Sequence, residues 1–206
     1  MPKSVQRKYN FLAKIYDRIY RAYLDKTTDK ALHPSVLKQA REILDVGCGT
    51  GSLEVKLLPK VPQAQVLGID ISEEMLEQAR KKMAAYPSVV FRAGDFLRAD
   101  LPPEKFDVAF ALSNFHYFAD PEAVLRKIHR HLKPGGLLVL IDWDRTSWKG
   151  KFYNSYMRFF DSGFVKIYKM EEVSRLLEKT GFLLTESENF SIRFFWHIMC
   201  LVAKKL

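Results

Sequence analysis

Cysteine is scarce in this chain of 206 residues: Cys48 and Cys200 are the only two. A lone pair in such a chain supplies neither a disulfide framework nor metal-ligand spacing, so both are read as reduced thiols and no metal is expected. No apolar run approaches the ~18 residues of a bilayer span, and the first residues are basic and polar without a signal-type apolar block. Internal repeats and low-complexity segments are missing too. These absences leave a cytoplasmic globular enzyme or binding protein as the expectation. The 48% hydrophobic content is enough for one full core.

Acidic residues are under-represented at one end. Residues 1–41 hold ten Lys/Arg against three Asp/Glu, so +7 of the formal +9 charge precedes the middle of the chain. On a wheel of 100° steps taken as one helix, Arg7, Lys14, Arg18 and Arg21 fall together. Val5, Tyr9, Leu12, Tyr16, Ile19, Tyr20 and Tyr23 fall opposite. A basic amphipathic segment of this kind either solvates well or meets an anionic partner, and a peripheral contact with the inner face of a membrane is the expectation it raises.

The most informative stretch is Glu42-Ile43-Leu44-Asp45-Val46-Gly47-Cys48-Gly49-Thr50-Gly51-Ser52. An apolar strand runs into three closely spaced glycines, which allow a sharp turn and close approach of a ligand. A second strand, Val66-Leu67-Gly68-Ile69-Asp70, ends in a carboxylate 23 positions after Gly47. That matches the ~20 expected of a ribose-hydroxyl acceptor in a βαβ nucleotide unit. The dinucleotide fingerprint is incomplete, because Ser52 stands where its third small residue belongs. A nicotinamide oxidoreductase is disfavoured on that ground.

The coarse pattern alternates strand and helix. Helix is predicted over Glu73 to Ala85 with Ser72 as N-cap, strand over Ser88 to Arg92 and Phe106 to Leu112, and helix from Pro121 to about Leu132. Lys133-Pro134-Gly135-Gly136 is read as a turn before a fifth strand, Leu137 to Asp142. A helix from Met170 to Thr180, stopped by Gly181, precedes two strands, Phe182 to Glu188 and Phe194 to Ala203, joined as a hairpin.

The string Asp-Val-Gly-Cys-Gly-Thr-Gly, with Gly68-Ile69-Asp70-Ile71-Ser72, Gly94-Asp95-Phe96 and Lys133-Pro134-Gly135-Gly136, resembles the class I S-adenosylmethionine-dependent methyltransferases. The Tyr16-Asp17 pair is similar to the start of ubiquinone/menaquinone-type C-methyltransferases and of bacterial phospholipid N-methyltransferases. The resemblance implies an α/β fold: a Rossmann-like doubly wound seven-stranded sheet of order 3-2-1-4-5-7-6 whose last strand is antiparallel. It divides a single domain into N-terminal cap helices (1–39), a cofactor-binding core (40–142), a lid insertion (143–169), and a C-terminal helix with the antiparallel pair (170–206).

It also implies S-adenosyl-L-methionine as cofactor, with S-adenosyl-L-homocysteine as product. Asp45, Gly47, Cys48, Gly49, Asp70, Ile71, Met75, Gly94, Asp95, Phe96, Leu112 and Ser113 would bind that donor, with Asp95 on the adenine amino group and Phe96 flanking the ring. Ser113, Asn114, Phe115, His116 and Tyr117 follow the fourth strand, where ligands sit in open α/β sheets. His116 is the first candidate for a general base because histidine titrates near neutrality. Tyr16, Tyr20, Asp142 and Asp144 are further candidates. Tyr20, Asn114, Tyr117, Trp143 and Tyr156 are expected to touch the acceptor, a small or lipophilic molecule of quinone, aromatic or lipid-like type.

Within 143–169, Phe152, Tyr156, Phe159 and Phe160 recur at helical spacing as one apolar face. That face either packs on the body or lines the acceptor pocket. Methylation of nucleic acid is disfavoured despite a pI near 9.5, since Ser113-Asn114-Phe115-His116 lacks the Pro-Pro-aromatic pattern of base-amine enzymes and no RNA-binding module is attached. A catalytically inactive cofactor-binding module is the remaining alternative.

Overall fold

A computed structural model of the chain describes residues 3–146, 148–161, 163–193 and 196–206, and the backbone alone at 148, 149, 151–153 and 160. In chain order the elements are α1 (Lys3–Leu12), α2 (Tyr16–Ala31), the short α3 (Pro34–Leu37), β1 (Glu42–Val46), α4 (Ser52–Leu57), β2 (Gln65–Asp70) and α5 (Glu73–Lys82). Then come β3 (Val89–Ala93), β4 (Phe106–Leu112), α6 (Pro121–His131), β5 (Leu132–Trp143), α7 (Trp148–Phe160), α8 (Met170–Lys179), β6 (Phe182–Ile192) and β7 (Trp196–Lys205).

The seven strands form one sheet in the order β3-β2-β1-β4-β5-β7-β6. β7 runs antiparallel to both β5 and β6, and every other pairing is parallel. Alternate residues of the central strands supply two separate cores. Ile43, Val108, Phe110, Val139 and Ile141 pack on one face, and Leu44, Ala109, Ala111, Leu138 and Leu140 on the other. This is why those strands read as nearly continuous apolar runs.

Local signals act where the sequence placed them. Ser72 Oγ accepts from the Met75 N–H at 3.2 Å, and Asp120 Oδ1 from the Ala123 N–H at 2.9 Å. Gly181, at φ +91°, ends α8. Two expectations are corrected. Lys133 to Gly136 is not a turn outside the strand but the first part of β5, with Leu132 already paired to Phe106. The predicted single amphipathic helix is two, because Ala13 to Ile15 form a turn between α1 and α2. In a continuous helix Tyr9 and Tyr16 would lie about 10 Å apart along the axis; the turn brings their ring centroids to 5.8 Å. The expected start of the last strand at Phe194 lies outside the described residues, as do the side chains of Phe152 and Phe160. No described helix is long and apolar enough to cross a membrane.

Candidate active site

The carboxyl ends of β1, β2 and β4 converge beneath α1 and α2. The glycine loop leaves β1 with Gly47 at φ +70°, Gly49 at +55° and Gly51 at +75°. A Cβ on Gly47 would overlap the Asn114 amide, whereas one on Gly49 would meet only the Met75 methyl group, at 3.9 Å. The first glycine therefore admits a neighbour and the second leaves room for a ligand.

A cavity opens above this loop. Gly47, Gly49, Asp70, Ile71, Met75, Gly94, Phe96, Leu112 and Ser113 line it, as expected of a donor pocket. Asn114 and Tyr117 join them, with Val5, Tyr9 and Tyr16 from α1 and α2. Asp70 is the polar centre. Its Oδ2 accepts from the Gly49 N–H and its Oδ1 from the Ser72 N–H, each at 2.9 Å. Burial raises its pKa, against the backbone N–H donors that lower it. A carboxylate has about four acceptor positions, so two hydroxyls can still be taken up by this group. Asn114 donates to the Val46 carbonyl, and its Oδ1 is buried with no partner among the described residues. The cavity thus offers a diol acceptor and an unused amide oxygen, which fit the ribose and the ammonium of a nucleoside amino acid.

Three cofactor candidates sit elsewhere. Asp45 and Cys48 line a smaller space that adjoins the first and shares Tyr16, Gly47, Gly49, Leu112 and Ser113 with it, and the Cys48 thiol is pushed up by burial. Asp95 is half-buried at the rim, where its Oδ1 accepts from the Leu97 N–H at 3.0 Å. Asp45 packs with Glu54, a fully buried carboxyl that the sequence did not mark.

A second cavity adjoins the first and shares Tyr9, Tyr16, Ser113 and Tyr117 with it. Its own walls include Lys8, Tyr20, His116, Trp143 and Met157. His116 is 2% exposed. Its Nδ1 lies 2.7 Å from Asp142 Oδ1, and its backbone N–H donates to Asp142 Oδ2 at 3.0 Å. The imidazole stacks on Trp143 with centroids 4.5 Å apart and planes 11° apart. Its Nε2 is buried and has no partner among the described residues. In a neutral imidazole the carboxylate favours the tautomer with its proton on Nδ1, which leaves Nε2 as the acceptor atom.

The other base candidates are worse placed. Burial, with the nearby Tyr20, Asp70 and Asp17, holds the Tyr16 phenol above its usual range, which makes it a donor rather than a base. Burial and Asp161 raise Tyr20 as well. Asp144 accepts from the Thr146 N–H and hydroxyl and lines neither cavity. Tyr156 is exposed and lines neither cavity, so the aromatic face of α7 does not line the pocket there. Asn114 belongs to the first cavity and not the second.

Sequence reasoning missed the clamp that holds the cap down. Lys8 Nζ lies 2.6 Å from Asp161 Oδ2 and 3.1 Å from Tyr117 Oη, and Tyr117 donates to the same carboxylate at 2.9 Å. Gln6 Nε2 donates to the Ile71 carbonyl at 2.7 Å. Asp17 accepts from Thr50 Oγ1 in the glycine loop and pairs with Lys82 of α5, both at 2.5 Å. Only the Tyr16-Asp17 pair hinted at this. The pairing of His116 with Asp142 was legible in principle, since both follow the ends of adjacent strands. Ser113 holds φ +60°, rare for a non-glycine residue, and its Oγ lies 2.7 Å from Tyr23 Oη.

Residues 43–136 match the methyltransferase domain family. A demethylmenaquinone methyltransferase of Deinococcus radiodurans is 34% identical over 146 residues, 68% of this chain and 61% of that protein. A malonyl-[acyl-carrier protein] O-methyltransferase of Halalkalibacterium halodurans is 31% identical over 151 residues, 66% of this chain and 54% of the relative. The chain thus spans little more than half the length of these two curated relatives. Among solved structures, an S-adenosylmethionine-dependent methyltransferase from Mesorhizobium loti superposes with a TM-score of 0.71 at 21% identity, covering 88% of this chain and all of the other. That likeness bears on the fold.

Proposed function

From the chain's membership of the class I S-adenosylmethionine-dependent methyltransferases, we propose that it methylates a small lipophilic acceptor of quinone-like or aromatic type, with the His116–Asp142 pair taking the acceptor's proton. The observation that carries this reading is the unpartnered Nε2 of His116, buried in a cavity that adjoins the donor pocket. When bound, the donor supplies a methyl group on a sulfonium sulfur, open to in-line displacement.

The protein's share is position, dryness and one proton. Asp70 holds the ribose diol, Gly47 and Gly49 allow the amino-acid end to lie on the loop, and Phe96, Ile71 and Met75 provide an apolar slot for the base. Tyr9, Tyr16, Ser113 and Tyr117 form the boundary between the pockets. An acceptor seated against Trp143 and Tyr20 would face the donor across that boundary, excluded from water by the clamped α1. Positioning of this kind supplies most of the acceleration when no covalent intermediate is required. Asp142 fixes the imidazole and stabilises its protonated form, and Nε2 accepts the proton of a hydroxyl, an acidic carbon or an ammonium.

A second reading has its own observation. Tyr9, Tyr16, Tyr20, Tyr23, Tyr117 and the two tryptophans Trp143 and Trp196 line the second cavity, and aromatic faces of that density suit an alkylammonium. A phospholipid head-group amine is the acceptor on this reading. Methyl transfer from labelled S-adenosylmethionine to hydroquinones and to phosphatidylethanolamine tests both. His116→Ala should lower kcat by about 10²- to 10⁴-fold, the range of general-base catalysis, with donor affinity unchanged. An unaltered kcat removes the base assignment, and incorporation into neither acceptor class removes the proposed substrate.

A further inference from the structure

The elements that wall the second cavity carry bulky apolar side chains on their outer sides. On α1, Lys3, Arg7 and Phe11 lie at successive 40° offsets on the wheel, and all three are exposed, Phe11 at 83%. On α2, Tyr16, Tyr20 and Tyr23 turn inward, while Ile19, one turn beyond the exposed Ile15, is 53% exposed, with the exposed Arg18 and Lys26 flanking. The sequence placed Ile19 with the inward tyrosines; the structure turns it out. On α7, Met157 lines the cavity and Phe159 is 91% exposed, beside the exposed Tyr156 and Arg158. Lys8 of α1 and Asp161, two residues beyond Phe159, tie α1 to the end of α7.

Together Phe11, Ile15, Ile19, Tyr156 and Phe159 expose on the order of 500 Å² across the three helices. Among the described residues, Arg7, Lys14, Arg18 and Arg158 form no ion pair, although Lys8, Lys56 and Lys82 nearby do. Unpaired cations interleaved with exposed phenylalanine and isoleucine combine the two attractions of an interfacial surface: acyl-chain burial and attraction to anionic head groups.

We infer that the outer faces of α1, α2 and α7 dock on an anionic lipid bilayer, setting the second cavity one helix thickness from the lipid. A second copy of the chain is a poor occupant, since apposed faces would set cation against cation. Nucleic acid would satisfy the charges and leave Phe11, Ile19 and Phe159 in water.

Co-sedimentation with vesicles of one-third phosphatidylglycerol in phosphatidylcholine, compared with pure phosphatidylcholine, tests the surface. Binding should be at least tenfold tighter to the anionic vesicles and weaken as salt shortens the screening length. Arg7→Glu and Arg18→Glu should each weaken it about fivefold or more, at ~1 kcal/mol per charge. Phe11→Ser and Phe159→Ser should weaken it at fixed charge, with the thermal shift produced by S-adenosylmethionine retained as evidence of a folded donor site. Equal binding to neutral vesicles, no binding, or phenylalanine variants that bind like the parent overturns the proposal. Tighter retention by bulk tRNA than by anionic vesicles overturns it in favour of nucleic acid. The assay contains no acceptor, so a protein that methylates in solution and ignores these vesicles loses the docking surface and keeps the reaction.

Discussion

Glu54→Gln should remove a large part of the pH dependence of stability. Glu54 lies inside α4, fully buried against the Asp45 carboxyl. Burial pushes its pKa from the ordinary 4.5 up to about 7, and burial together with Glu54 raises the adjoining Asp45 as well. Below pH 4.5 the folded and unfolded chains both hold the Glu54 proton, and the contribution to stability is complete. Between 4.5 and 7 the unfolded chain releases the proton while the folded chain keeps it, so stability falls as pH rises, and above 7 the loss is complete. At 1.36 kcal/mol per pKa unit the loss is about 3 kcal/mol. For a chain of this size that is about 6–12 °C in Tm. Glutamine is neutral throughout, so thermal unfolding at pH 5 and pH 8.5 should show a decline in the parent that exceeds the variant's by this amount. The Asp45→Asn/Glu54→Gln double variant should be flatter still. Equal declines in parent and Glu54→Gln would mean that Glu54 is ionised in the folded protein, and the buried-pair argument would fail.

Two further predictions concern the donor pocket. S-adenosylmethionine at 100 times its dissociation constant should stabilise the parent by about 2.7 kcal/mol, or about 5–10 °C. Asp70→Asn should cut that shift to under about 2 °C, because the amide loses one acceptor oxygen and weakens the Gly49 and Ser72 contacts; an undiminished shift refutes the diol assignment. Gly47→Ala should destabilise by about 3 kcal/mol, from the left-handed backbone and from displacing Asn114 off the buried Val46 carbonyl. Adding Asn114→Ala should recover part of that loss in urea unfolding, since the two residues share one space. A Gly47→Ala protein as stable as the parent would show that the loop shifts freely.

The parts that were legible in the sequence are those whose signal is local. Phe106–Leu112 emerged with the predicted limits because a nearly continuous apolar stretch, interrupted only by Asp107 and bounded by Lys105 and Ser113, reads as a buried strand of a parallel sheet. Ser72 capped α5 because its hydroxyl needs only a backbone N–H three residues on. The spacing from Gly47 to Asp70 fixed the floor of the donor pocket, because strand ends and tight turns carry their geometry with them. Periodicity, by contrast, groups side chains on a face without saying where the face looks. Tyr156 and Phe159 share a side of α7 as expected, yet that side faces outward. Glu54 sits among helix formers and reads as solvated, and only the packing of α4 on the sheet buries it. The turn at Ala13 to Ile15 has no glycine or proline to announce it; the pull of Tyr9 and Tyr16 toward one cavity accounts for it.

The same division separates the two cavities. The donor pocket rests mainly on hydrogen bonds made by backbone and by residues at strand ends, so a short motif specifies it. The second cavity, where the proposed function seats the acceptor, is closed by α1, α2 and α7, which are held by pairs far apart in sequence: Lys8 with Asp161, Asp17 with Thr50 and Lys82, Tyr23 with Ser113. No local pattern encodes such pairs, because each is selected by the surface it meets. His116 and Asp142, near the carboxyl ends of β4 and β5, join the Tyr23–Ser113 contact in fixing the second cavity to the sheet.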